Sequence, residues 1–252
     1  MSGILSPLLL ALAFTATAAS AQAVRYDQMI LAENPVFYRT LGGTPDVSHR
    51  PSGSPWTFTR MSNGDRATVF NGSNQYLEFP SSPRYSVPQN GALTIETWIR
   101  PDVLDFPAAE GDGYVHFAGK GEPGQHEWVL RMYSQHNAAN RPSRISGYAF
   151  NAEGGLGSGS YFQDPVIAGR WLHVAVVIDR ENVRIYKNGE LRDTTPLDQF
   201  DVVPTPGSAP LRIGTRDRRS FFKGAIAKFA LYDRALSQQE LRRHYMRMII
   251  WR

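Results

Sequence analysis

The sequence contains no cysteine. That excludes disulfides, thiolate metal sites and cysteine nucleophiles. It leaves the compartment open, because a chain of 252 residues is long enough to bury a core that needs no cross-links. Long apolar runs are missing too. Leu8–Phe14 and the C-terminal Met248-Ile249-Ile250-Trp251 are both too short to span a bilayer. Residues 1–23 lack Asp, Glu, Lys and Arg altogether. Within them an apolar run leads into Ala19-Ser20-Ala21-Gln22-Ala23, where Ala-x-Ala is satisfied at Ala21 or Ala23. This is the pattern of a secretory signal, here with the α-amino group as the sole positive charge of the leading region. The expectation is a signal at 1–23 and a single exported domain at 24–252, extracellular, periplasmic or on the cell surface.

Charge imbalance is small. The formal net charge is +4, and removal of residues 1–23 leaves it unchanged. Acidic glycans or an anionic envelope suit such a balance, but no nucleic-acid recognition motif accompanies it. Apolar residues at 42% and charged residues at 20% describe a folded chain rather than a disordered one.

Short apolar stretches recur between clusters of Gly, Pro, Asn and Asp. Strands are expected at 36–38, 67–70, 75–79, 93–100, 114–118, 127–133, 145–150, 172–179, 183–187, 211–214 and 225–233. This spacing suits a sandwich or barrel rather than βαβ units. Asn188-Gly189 between two such stretches predicts a two-residue hairpin. Ser237-Gln238-Gln239-Glu240 is a capping box, and Leu241, Tyr245 and Met248 follow at helical spacing, so one short helix closes the chain. Residues 153–160, Glu-Gly-Gly-Leu-Gly-Ser-Gly-Ser, read as a flexible loop without the Gly-Lys-Ser/Thr of a phosphate loop.

Five segments then occur in a telling order. Pro35-Val36-Phe37-Tyr38-Arg39-Thr40-Leu41-Gly42 comes first, and Phe70-Asn71-Gly72-Ser73-Asn74-Gln75-Tyr76-Leu77 second. Leu93-Thr94-Ile95-Glu96-Thr97-Trp98-Ile99-Arg100-Pro101 is third. Trp171-Leu172-His173-Val174-Ala175 with Ile185-Tyr186-Lys187-Asn188-Gly189 is fourth. The fifth runs from Phe222-Lys223-Gly224-Ala225-Ile226 to Tyr232-Asp233-Arg234-Ala235-Leu236-Ser237. Together they resemble the laminin G-like jelly rolls of the concanavalin A-like lectin/glucanase superfamily. The resemblance implies an all-β fold, a two-sheet antiparallel jelly-roll sandwich with one short C-terminal helix. It says little about function, because one fold hosts many.

Enzymes of that superfamily carry paired carboxylates along one strand, in a Glu-x-Asp-x-x-Glu pattern, and this chain has no such pattern. Glu110-Gly111-Asp112 reads as a solvated loop, and catalysis is not expected. Metal binding is not expected either. His116, His126 and His136 lack paired spacing, and His173, inside a strand, reads as structural. Many laminin G-like domains hold Ca²⁺ with oxygens from the first-strand region and from the Asp of a closing Ile-Asp-Glu. Here that triplet is Ile226-Ala227-Lys228, so the family's calcium site is expected to be lost, with Asp46 and Asn71 left as oxygen donors elsewhere.

Two binding surfaces are candidates. Alternation puts Glu96, Trp98 and Arg100 opposite Leu93, Ile95 and Ile99, so Trp98 either stacks on a sugar ring or is covered. Arg216, Arg218 and Arg219 in one loop, with Arg242 and Arg243 on the closing helix, offer planar forks for sulfate, carboxylate or phosphate. The expected function is a surface binding module for carbohydrate, acidic glycans included. The alternatives are an interaction or structural domain of a cell envelope or phage-like particle, and a degenerate polysaccharide-degrading enzyme. The expected partner is a glycan or an envelope protein.

Overall fold

The computed structural model describes residues 26–43, 55–88 and 91–249. The expected signal segment and Asp46 lie outside them. Helix α1 runs through residues 26–32. The strands are β1 (Phe37–Arg39), β2 (Thr57–Arg60), β3 (Arg66–Asn71), β4 (Leu77–Phe79), β5 (Leu93–Pro101), β6 (Tyr114–Glu122) and β7 (Gln125–Tyr133). They continue with β8 (Ile145–Asn151), β9 (Gly154–Tyr161), β10 (Leu172–Ile178), β11 (Asn182–Lys187), β12 (Glu190–Pro196), β13 (Leu211–Ile213) and β14 (Lys223–Tyr232). Helix α2 spans Gln238–Ile249.

Two antiparallel sheets result. One has eight strands in the order β12-β11-β10-β5-β14-β3-β2, with β1 also on β14; the other has six, in the order β4-β13-β6-β7-β8-β9. Strand alternation builds the layers. Leu93, Ile95 and Ile99 of β5 and Leu172, Val174, Val176 and Ile178 of β10 face inward to meet Leu130, Met132 and Ile145 of the six-stranded sheet. The alternate residues Trp98, Ala175 and Val177 face outward, under Tyr26 and Ile30 of α1 and Leu241 and Met248 of α2. So the eight-stranded sheet is covered on both faces.

Local signals act as expected at the β11–β12 turn and at the start of α2. Asn188 and Gly189 take φ of 57° and 78°, the positive values a two-residue turn needs. The Ser237 amide donates to Glu240 Oε2 at 2.7 Å, and the Glu240 amide donates to Ser237 Oγ at 3.2 Å. In β14 a bulge at Lys228 (φ 54°) shifts the register between Ala227 and Ala230. The extra residue keeps Ile226, Phe229 and Leu231 in the core and Ala225, Ala227, Ala230 and Tyr232 on the outer layer.

One element overturns the sequence reading. Residues 153–160 are not a flexible loop; most of them form β9, the edge strand paired with β8. Its side chains are too small to show an alternation. The strand is held instead by buried serines: Ser158 donates to the Leu197 carbonyl at 3.0 Å and Ser160 to the Val183 carbonyl at 2.6 Å. Strand β2 was also not anticipated.

Candidate saccharide-binding face

Trp98 is not available to a sugar. It is 2% exposed, its indole N–H donates to the Tyr26 hydroxyl at 3.1 Å, and the Tyr245 ring stacks on it at 5.8 Å. The reading of Trp98 as a ligand contact is therefore corrected: two helices cover that face. The arginines do not form one surface either. Arg242 and Arg243 are exposed on α2, paired with Glu190 (3.4 Å) and Glu33 (3.1 Å). Arg216, Arg218 and Arg219 lie in the β13–β14 turn beside the other sheet. Arg216 is buried there, 2.6 Å from Asp217, with its guanidinium 5.7 Å from the Phe150 ring centre. Arg218 and Arg219 are exposed. The bulk of the sandwich separates the two groups.

The outer face of the six-stranded sheet, which neither α1 nor α2 covers, carries what the sequence reading missed. Val129, Arg131 and Tyr133 of β7 and Tyr148 and Phe150 of β8 alternate with core residues and point outward. The Arg131 guanidinium lies 3.8 Å from the Tyr114 ring centre and 4.6 Å from that of Tyr148. Arg141 donates to the Tyr148 hydroxyl at 2.6 Å and to the Tyr133 hydroxyl at 3.0 Å, and lies 4.2 Å over the Tyr161 ring. Burial raises the Tyr148 hydroxyl to about 12. Tyr133 is lowered although it too is buried, because Arg131 stabilises its phenolate. The strands at 127–133 and 145–150 were legible; which residues of theirs form this outer face was not.

Strand β9 completes the face by supplying no side chains. A Cβ on Gly159 would lie 2.2 Å from the Tyr148 ring, and one on Gly157 2.5 Å from the Phe150 ring. The rings lie across the glycines. Beside them runs a groove of about 350 Å³, lined by Arg141, Tyr148, Tyr161, Gly159, Leu156 and Phe200 among others. Leu156 is 80% exposed and Phe200 38%. A second cleft, between the β10–β11 turn and the loop after β12, is lined by residues such as Arg180, Asp198 and Val203 and offers no aromatic ring.

The sequence matches a laminin G-type family model, described as the concanavalin A-like lectin/glucanases superfamily, over residues 71–242. The chain belongs to this superfamily. No curated protein sequence matches it. Among solved structures, it is similar to domain 4 of AbnA, a GH43 extracellular arabinanase from Geobacillus stearothermophilus, solved in complex with arabinotriose. Identity is 17%, the TM-score 0.55, and the match covers 79% of this chain and 86% of that one. The binding domain of botulinum neurotoxin serotype G matches at 16% identity and TM-score 0.60, over 84% of this chain and 50% of that one. The serotype D ligand-binding domain, solved with N-acetylneuraminic acid, matches at 13% identity and TM-score 0.58, over 86% and 52%. This chain thus spans about half of those toxin domains, and at such identities the likeness speaks for the fold.

The superfamily's calcium position does not fit a calcium ion here. Ala227 is buried in the apolar layer under the helices. Next to it, Lys228 Nζ lies 2.7 Å from both Asp27 Oδ1 and Asp65 Oδ2. A fixed ammonium already sits between the two nearby carboxylates, where a cation would have to bind. Asn71 is engaged as well: its Oδ1 accepts from the amides of Ser73, Asn74 and Gln75 at 3.0–3.2 Å.

Under α2 lies a polar network the sequence reading treated as isolated residues. Glu96, 1% exposed, accepts from the Tyr232 hydroxyl at 3.1 Å. His173 Nε2 lies 3.1 Å and His244 Nδ1 2.9 Å from its Oε2. His244 Nε2 reaches Glu33 Oε2 at 3.0 Å. Burial alone would favour a neutral Glu96, but His244 and His173 hold it far below the usual carboxylate range. Burial likewise opposes a charged His244, yet Glu96 and Glu33 raise it above an ordinary imidazole. His173 is fully buried within this network, which pins α2 to the sheet.

Glu110 is not a freely solvated side chain. It meets the fully buried His116, with Oε1 at 2.8 Å from Nδ1, and Asp217 Oδ1 lies 3.8 Å from the same nitrogen. His126 and His136 stand apart. His126 packs on the Phe150 ring, and His136 is an exposed partner of Asp105 at 2.9 Å.

Proposed function

We propose that this chain is an exported, non-catalytic module that binds saccharide in the groove on the outer face of its six-stranded sheet. The observation that carries the reading is the groove itself: exposed Leu156 and Phe200 and the half-buried Tyr161 beside Arg141, over a floor of glycine. Sugar rings present apolar C–H faces and a rim of hydroxyls. Aromatic and aliphatic walls with a few directed polar groups suit both. Gln199 adds an amide group along one side. Arginine favours sugars carrying a carboxylate or sulfate, so acidic glycans are the preferred ligands. The arabinotriose and sialic-acid complexes of structural neighbours support carbohydrate as the ligand class. Export rests on the leader at residues 1–23.

The test is calorimetric titration with neutral and acidic oligosaccharides. Acidic ones bind more tightly, and Tyr161→Ala and Arg141→Ala each weaken binding by about tenfold, or 1.4 kcal/mol. Arg242→Ala, on the opposite side of the sandwich, leaves binding unchanged. Absence of binding to every glycan at millimolar concentration overturns the proposal. A protein partner captured equally well after glycosidase treatment favours the envelope-interaction reading instead.

A further inference from the structure

The Glu110–His116–Asp217 group stands apart from the saccharide groove, on the β6 side of the same sheet. His116 pairs across the sheet with Arg131, then Ser146, then Tyr161, so three strand spacings, about 14 Å, separate it from the groove wall. One carboxylate oxygen from each acid and the His116 Nδ1 all lie within 4.8 Å of one another. Nδ1 is 2.8 Å from Glu110 Oε1 and 3.8 Å from Asp217 Oδ1, separations open to donors each about 2.0–2.2 Å from a common ion.

A second observation points to a ligand. His116 is 0% exposed, and neither of its ring nitrogens has a hydrogen-bond partner. Nδ1 is 2.8 Å from Glu110 Oε1, yet the oxygen does not lie where an N–H on Nδ1 could donate to it. A buried imidazole nitrogen without a hydrogen bond costs stability unless something binds it. The surrounding bonds hold the acids in place. Ser220 Oγ donates to Glu110 Oε1 at 3.1 Å and accepts from the His116 amide at 3.1 Å. Arg216 holds Asp217 by its other oxygen, Oδ2, at 2.6 Å, while Oδ1 faces His116 and accepts from the Arg219 amide at 3.2 Å. Such outer contacts are what orients ligating side chains in metal sites.

We propose that Glu110, His116 and Asp217 bind one divalent transition-metal ion of the zinc class. An imidazole nitrogen with two carboxylates is a borderline donor set. It suits Zn²⁺ or Co²⁺ better than Ca²⁺ or Mg²⁺, which take oxygen alone. Two anionic ligands, offset by Arg216, leave a net charge of −1 to meet the ion. Three protein donors leave at least one coordination position for water or an external oxygen. The site does not depend on saccharide binding in the groove.

The experiment titrates the purified, chelator-treated protein with Zn²⁺ and, separately, with Co²⁺, whose visible absorption reports nitrogen–oxygen coordination. One equivalent of each binds, and millimolar Ca²⁺ does not displace it. Loss of an outer-sphere partner typically costs about 10–100-fold in metal affinity, so loss of a ligand costs at least as much. Glu110→Gln and Asp217→Asn each weaken Zn²⁺ binding by at least about tenfold. Melting in chelator checks that both variants fold like the parent. His136→Ala leaves binding intact. Either of two results overturns the proposal: no saturable Zn²⁺ binding, or binding that survives both acid substitutions and disappears with His136.

Discussion

Replacing His244 by Gln tests how α2 is held on the sheet. His244 is fully buried and bridges Glu96 of β5 and Glu33 beyond α1, at 2.9 and 3.0 Å. Tyr232 of β14 and His173 of β10 complete the shell around Glu96, and Arg234 and Arg243 reach Glu33 from outside at 3.6 and 3.1 Å. Glutamine keeps some hydrogen-bonding capacity but removes the charge between two carboxylates. Breaking a buried ion pair from one side costs about 3–5 kcal/mol. For a chain of this length, 3 kcal/mol lowers the melting temperature by about 6–12 °C. The pH dependence is the sharper readout. His244 is raised in the folded state, so its contribution is complete below its unfolded value of about 6.5 and is lost as pH rises through the folded value. Glu96 is lowered, so its contribution is complete above its unfolded value of about 4.3 and is lost as pH falls through the folded value. The network therefore contributes fully between about pH 4.3 and 6.5 and weakens on the alkaline side. Denaturant melts at pH 6 and pH 9 measure this: the wild type loses stability on the way up, and His244→Gln loses much less. Parallel losses in both proteins would refute a charged His244.

Lys228→Met leaves Asp27 and Asp65 facing each other without their ammonium, and urea unfolding registers a loss of about 3–5 kcal/mol. In the wild type, millimolar Ca²⁺ leaves the melting temperature where chelator puts it. A native-state site filled at a hundred times its Kd would add about 2.7 kcal/mol, so a rise above about 3 °C contradicts the reading of Lys228. Gly159→Ala drives a methyl group into the Tyr148 ring, 2.2 Å away. Denaturation shows a cost of about 1–3 kcal/mol, and saccharide affinity falls with the displaced ring; wild-type stability would mean that the ring does not lie across β9.

What the sequence determined by itself is the part governed by short-range rules. Alternation in β5 separated the core face from the outer face, Asn188-Gly189 demanded a hairpin, and Ser237 with Glu240 started α2. Each of these depends on residues within a few positions of one another, so it can be read without knowing the neighbours. The same alternation placed Trp98 correctly on the outer face, but only the packing of α1 and α2 decided that this face is closed. Strand β9 was unreadable because its glycines and serines have no hydrophobic period. It is a strand because β8 offers it hydrogen bonds and because the Tyr148 and Phe150 rings need a surface without side chains. Likewise Glu110, His116 and Asp217 are separated by up to 107 positions and meet only where the β13–β14 turn folds back over β6. Sheet pairing between distant strands sets such meetings, and no local pattern encodes them.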